Sequence, residues 1–204
     1  NPSIKNFLPN PDTLLDMEKS SSRVIKSIKN LEKIGIFGDY DVDGATSTAL
    51  LGRYFKELDL KYEIYIPDRK TEGYGPSIKG FNELIDSGVK LIFTVDCGTL
   101  SFEAINFAKE NGIDVIVLDH HQSEIKLPKA FAIINPNRLD DKSNLQYLCA
   151  AGVSYMFLVS LNRELRSKNW FNKININEPN LINYLDLVSL GTVCDVVPLV
   201  GLNR

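Results

Sequence analysis

Carboxylates and imidazoles are the residues whose types and spacing could do chemistry in this sequence. Asp39, Asp41 and Asp43 alternate in Gly38-Asp39-Tyr40-Asp41-Val42-Asp43-Gly44, and no Lys or Arg lies between Lys33 and Arg53. Asp96 opens Asp96-Cys97-Gly98, and both histidines of the chain fall in Asp119-His120-His121. A further acid, Asp195, sits between an apolar run and a β-branched, proline-stopped one. Taken singly, each has an ordinary explanation as a solvated turn, a helix cap or a surface histidine pair. Gathered within a few ångströms, these carboxylates cannot all ionise unless cations neutralise them. Carboxylate plus imidazole without a thiolate suits a hard or borderline divalent ion, Mn²⁺ or Mg²⁺. One carboxylate shared by two ions ~3.5–4 Å apart would make a two-metal site for phosphoryl chemistry. A helix opening at Ala45 would add N-terminal amides and a positive dipole end for a phosphate beside the ions.

Whether these residues meet depends on the elements that carry them. Four β-branched runs, Ile34–Phe37, Tyr62–Ile66, Leu91–Val95 and Val115–Leu118, alternate with helix-patterned stretches, and a fifth, Phe131–Ile134, follows. Near-continuous apolar runs read as strands buried on both faces, the pattern of a parallel sheet. Helical spacing recurs over Ala45–Leu60, Ser77–Asp86 and Phe102–Glu110, with Gly88 and Gly112 at expected stops. An earlier surface helix is expected over Asp16–Leu31, with Met17, Val24, Ile25, Ile28 and Leu31 on one side. Leu145–Leu165 reads as one long apolar helix and Leu181–Leu190 as another, with Ser167–Asn180 a solvated connection. The expected fold is a doubly wound α/β domain: a mostly parallel five-stranded sheet flanked by helices, with a helical C-terminal section. Ligands of such sheets bind at the carboxyl ends of the strands. Asp39, Asp96 and Asp119 all follow strands, so three strand ends deliver acids or histidines to one edge.

Composition narrows the function classes. The 204 residues carry 23 Lys and Arg against 26 Asp and Glu, a formal charge of −3, which excludes gripping nucleic acid through bulk charge. No apolar run reaches the ~18 residues of a membrane helix. The opening Asn1-Pro2-Ser3-Ile4-Lys5 has no signal-peptide pattern. Cys97, Cys149 and Cys194 are scattered and odd in number, which fits a reducing cytoplasm and predicts small buried hydrophobes rather than a zinc site. The start without Met and the end at Gly201-Leu202-Asn203-Arg204 lead us to expect a longer parent protein.

In order along the chain, Asp41-x-Asp43-Gly44, Asp96-Cys97-Gly98, Asp119-His120-His121 and Gly191-Thr192-Val193-Cys194-Asp195 resemble the four motifs of the DHH phosphoesterase superfamily. The wording of Pro67–Gly75, Asn135-Pro136-Asn137-Arg138, Leu148–Val153 and Asp195–Arg204 is similar to its RecJ-type branch of 5′→3′ single-stranded-DNA exonucleases in recombination and repair. The resemblance implies a DHH catalytic domain over 1–204, with DHH-associated and nucleic-acid-binding domains outside it. It implies two ions, Mn²⁺ or Mg²⁺, and attack of metal-activated water on a phosphodiester. By position, Asp41 would hold one ion, Asp96 would bridge, and Asp43, His120 and Asp195 would hold the other. Asp39 and His121 would stand beside them as a ligand or phosphate contact. For single-stranded DNA, Arg69 and its neighbour Lys70 could meet a 5′-phosphate, Tyr74 could stack a base, and Arg138 could meet a phosphate. A single-strand-binding protein and a helicase are the implied protein partners. Two alternatives stay open: a DHH enzyme on oligonucleotides, cyclic dinucleotides or pyrophosphate, and a non-catalytic replication scaffold. Phe37, where small-phosphate relatives place a histidine, weighs against the first; the full ligand set weighs against the second.

Overall fold

The structure is a computed structural model that describes residues 7–204; residues 1–6, which include the start read above for a targeting signal, lie outside the described residues. Five parallel strands, β1 (Lys33–Phe37), β2 (Tyr62–Tyr65), β3 (Val89–Val95), β4 (Asp114–Leu118) and β5 (Ala132–Ile134), form one sheet in the order β2-β1-β3-β4-β5. On one face pack α1 (Met17–Asn30), α2 (Val42–Glu57) and α5 (Ala150–Ser167), against Ile34, Ile36, Leu91, Phe93, Ile116 and Ile134. On the other, α3 (Ile78–Asp86) and α4 (Phe102–Glu110) cover Phe37, Val89, Ile92, Val115 and Val117. Each central strand supplies both cores, and for that reason these runs are apolar without alternation. The strand order reverses between β1 and β3, the place where an open α/β sheet forms a crevice at its carboxyl edge.

Several helix bounds differ from the sequence pattern, each for a local reason. The helix expected from Ala45 starts at Val42, because the Asp41 carboxylate accepts the Gly44 amide at 2.9 Å and caps it three residues earlier. The helix expected from Leu145 starts at Ala150; residues 145–149 form a turn closed by the Leu148 amide on the Leu145 carbonyl at 3.0 Å. Leu181–Leu190 divides into a 3-10 turn, Leu181–Tyr184, and α7 (Leu185–Cys194). Within the Asn- and Lys-rich connection, Trp170–Ile174 forms a short helix, α6, anchored by buried Phe171. Leu31 does not join the buried side of α1. It sits beyond the helix end at φ +54° and is 83 % exposed. Cys97 and Cys149 are buried as expected, whereas Cys194 is exposed. Among the described residues, no helix is long and apolar enough to cross a membrane.

Candidate metal centre

The sheet brings the expected acids and imidazoles together at its carboxyl edge. Asp39 follows β1, Asp41 and Asp43 lie at the start of α2, Asp96 follows β3, and His120 and His121 follow β4. Asp195 caps the end of α7. Three sets offer ligand atoms all within 4.8 Å of one another: Asp39, Asp41 and Asp96; Asp43, His120 and Asp195; and Asp96, His120 and His121. His120 Nε2 stands 3.3 Å from Asp96 Oδ1, 3.5 Å from Asp195 Oδ2 and 3.8 Å from Asp43 Oδ2. Asp96 and His120 each belong to two sets, the arrangement that adjacent cation positions would share.

Burial makes this cluster costly without cations. Asp39, Asp43 and Asp96 are almost wholly buried. Burial, then repulsion from Asp43 and Asp41, pushes the Asp96 carboxyl up to about 10. Burial also raises Asp39, Asp43 and Asp195. Asp39 Oδ1, Asp96 Oδ1 and His120 Nε2 are buried and have no hydrogen-bond partner among the described residues. Buried polar atoms are rarely left so, and Asp96 Oδ1 and His120 Nε2 lie 3.3 Å apart. The donor set therefore fits divalent cations: several carboxylate oxygens, imidazole nitrogens and no thiolate.

Other residues hold the ligands in place. Asp43 accepts the amides of Ala150 at 2.6 Å and Ala151 at 2.9 Å, and so caps α5 across 107 residues of chain. Gly191 presses on the same carboxylate. A Cβ there would meet Asp43 Oδ1 and Thr46 Oγ1 at 2.7 Å and Ala151 Cβ at 2.8 Å, so α7 can bring Asp195 in only with glycine at this contact. Asp119 belongs to none of the three ligand sets. Its carboxylate accepts the amides of Thr99 at 3.0 Å, His120 at 2.8 Å and His121 at 3.2 Å, and the His121 ring at 2.8 Å. Burial alone would raise Asp119, but the His121 and Thr99 bonds bring it down to about 2, and the same Asp119 bond raises His121. Asp119 is thus an anchor for the two histidines.

Asn135 and Asn137 complete that anchor. The Asn135 amide donates to the His121 carbonyl at 2.9 Å and to Thr99 Oγ1 at 2.8 Å, and Asn137 donates to the His120 carbonyl. Sequence reasoning assigned these asparagines no role, although an Asn-Pro-Asn directly after a buried strand was a usable signal.

The substrate candidates divide. The Arg69 guanidinium lies over the Tyr40 ring, 5.2 Å from its centroid, and its charge offsets a small part of the rise that burial gives Asp39. Lys70 sits in an Asx turn, its amide donating to Asp68 at 2.9 Å. Tyr74 is 55 % exposed, with its hydroxyl 2.9 Å from the Asp96 carbonyl and 3.2 Å from His121 Nδ1. Arg138 needs a correction. Its guanidinium is engaged by Asp16 at 3.0 Å, Asp140 at 2.8 Å and the Ile133 carbonyl at 2.7 Å, so it braces the turn after β5 instead of facing a phosphate. The first turn of α2 differs from expectation too, because its positive end is spent on the Asp41 carboxylate. Phe37 is buried, stacked on Tyr65 at 5.2 Å and edge-on to Phe81 at 5.6 Å.

Comparison with known proteins gives a consistent result. The model of the DHH family, N-terminal domain, matches residues 33–192. The single-stranded-DNA-specific exonuclease RecJ of Escherichia coli (strain K12) is 40 % identical over 203 residues, 99 % of this chain and 35 % of that protein. The protein of the same name from Bacillus subtilis (strain 168) is 35 % identical over 194 residues, 95 % of this chain and 23 % of that one. A crystal structure of exonuclease RecJ bound to manganese shares 30 % identity and a TM-score of 0.78 over 94 % of this chain and 46 % of that one. The chain spans about a third of the length of the first-named relative. With its four motifs converging on one sheet edge, the chain belongs to the DHH family.

Proposed function

We propose that residues 1–204 are the catalytic DHH domain of a metal-dependent phosphodiesterase that hydrolyses single-stranded DNA from its 5′ end. The observation that carries the reading is the trio of buried, unpartnered atoms, Asp39 Oδ1, Asp96 Oδ1 and His120 Nε2, inside ligand sets that share Asp96 and His120. Asp39, Asp41 and Asp96 would hold one divalent cation, and Asp43, His120 and Asp195 the other, with Asp96 common to both. Either Mn²⁺ or Mg²⁺ suits this donor set, and a similar RecJ structure is described as bound to manganese. Such ions supply Lewis acidity at phosphoryl oxygens and lower the pKa of water.

The chain's own residues do the rest. Asp119 fixes His120 and His121, leaving the half-exposed His121 ring at the rim where a scissile phosphate can meet it. Arg69, braced on Tyr40 beside the acidic cluster, offers a guanidinium fork to a terminal 5′-phosphate. Local cations of this kind must bind the strand, because the chain's total charge is negative. The names and titles of the similar RecJ proteins support the substrate class. We propose further that the protein works in the cytoplasm in repair and recombination. A helicase would expose the single strand, and a single-strand-binding protein would coat it.

The test is digestion of 5′-labelled single-stranded DNA by the full polypeptide with Mn²⁺. Release of labelled mononucleotide, abolished by EDTA, is the expected outcome. No release with Asp41 and His120 intact overturns the reading, and preference for a dinucleotide over a long strand moves it to the small-substrate alternative.

A further inference from the structure

Asp96 is the one proposed ligand with a strained backbone: its φ is +61°, in the left-handed region that disfavours a side chain. Such a conformation persists only where the surroundings over-determine it. Here the residue is gripped at both ends. Its amide donates to the Leu118 carbonyl of β4 at 3.0 Å, and its carbonyl accepts the Tyr74 hydroxyl at 2.9 Å. The first bond comes with the sheet. The second comes from the loop after β2 and needs a dedicated backbone.

That loop is shaped to deliver a hydroxyl. Tyr74 stands between Gly73 and Gly75, at φ +81° and +84°. A Cβ at position 73 would meet nothing within 4 Å, and one at 75 only Ser101 Oγ at 3.8 Å, so these glycines serve the turn and not the space. The loop is rooted just before them by Glu72, whose carboxylate accepts the Tyr65 hydroxyl and the Asp68 amide and pairs with Lys79 at 3.6 Å. At the far end the same Tyr74 hydroxyl lies 3.2 Å from Nδ1 of His121, whose ring it meets edge-on at 5.7 Å. The ring is half in solvent while its hydroxyl points inward.

We propose that Tyr74 is a positioning residue: its hydroxyl, beside the His121 ring, donates to the Asp96 carbonyl and holds the strained backbone that aims the shared Asp96 carboxylate at both cation positions. The proposal rests on the metal reading given above. It separates two roles in one side chain, with the hydroxyl serving the cations and the exposed ring face left for the strand.

Tyr74→Phe removes the hydroxyl and keeps the ring. With Mn²⁺ alone as the probe, free ion is counted by electron paramagnetic resonance during titration of the full polypeptide, and Asp96→Asn serves as control. Tyr74→Phe is expected to weaken Mn²⁺ binding by about 10–100-fold, and to lower kcat at limiting Mn²⁺. The KM for single-stranded DNA should stay unchanged. Wild-type Mn²⁺ affinity in Tyr74→Phe, beside lost affinity in Asp96→Asn, overturns the Tyr74 role alone. Wild-type affinity in both variants overturns the metal reading and the proposal with it. Weaker DNA binding at unchanged Mn²⁺ affinity would assign the hydroxyl to the strand and likewise overturn the proposal.

Discussion

The two edges of the sheet bury charge in opposite ways. At the amino edge, Arg23 of α1 donates to Asp114 at 2.6 Å, Glu32 at 2.7 Å and the Lys90 carbonyl at 3.3 Å. Burial alone would raise Glu32, but bonds from Asn30, Arg23 and Ser27 bring it down to about 2. Both carboxylates there share the Arg23 guanidinium as partner. At the carboxyl edge, five acids and two imidazoles crowd together with buried atoms left unpartnered, and burial drives the Asp39, Asp43, Asp96 and Asp195 carboxyls upward. The first edge is arranged for the folded chain by itself. The second is arranged for something added to it, and the contrast in satisfied partners separates scaffold from site more sharply than charge or burial does.

Substitutions should split along the same line. The largest effect is expected from Asp96→Asn. It should abolish DNA turnover while raising the metal-free melting temperature, because asparagine is neutral without the proton that the Asp96 carboxyl must take up on folding. Nuclease assay and thermal denaturation in EDTA read the two signs, and normal turnover would refute the shared-ligand role. At the opposite edge, Arg23→Ala should do the reverse. Leaving Glu32 and the partly exposed Asp114 without their guanidinium should cost about 1–3 kcal/mol of stability, read by urea denaturation, while the folded fraction keeps its Mn²⁺ affinity.

Per pH unit, the smallest effect is a slope in stability. The Asp96 carboxyl titrates near 3.8 when unfolded and near 10 in the folded, metal-free chain. Between those values the folded state holds the extra proton, so metal-free stability should fall as pH rises, by at most about 1.4 kcal/mol per unit for this group. Asp39, Asp43 and Asp195 shift in the same direction and add to the slope. Glu32 and Asp119 have the opposite sign, with stability present above their unfolded values and lost as pH falls toward about 2. Melting in EDTA at pH 5, 7 and 9 should show the decline, and added Mn²⁺ should protect most at pH 9.

The five strands were legible because burial on both faces leaves an unbroken apolar signal, and the clustering of Asp39, Asp96 and His120 followed from strand ends alone. Less legible was everything decided by tertiary hydrogen bonds. Asp119 reads as one more acid of the cluster until the Thr99 amide, 20 residues away, and the His121 ring are seen to satisfy it. Arg138 reads as a phosphate contact until Asp16, 122 residues distant, takes its guanidinium. The helix starts at Val42 and Ala150 were missed because a side chain sets the first and a turn the second.

The seating of Gly191 against the Asp43 carboxylate has a bearing on biosynthesis. Asp43 finds its amide partners only when α5 has formed, and Asp195 reaches His120 only when α7 has docked through that glycine. Pairings so distant along the chain are slow to close. With the ligands assigned as proposed, a nascent chain still lacking its residues near 195 has an incomplete second cation position. A ribosome-bound intermediate would therefore hold a folded sheet before its second cation position is complete.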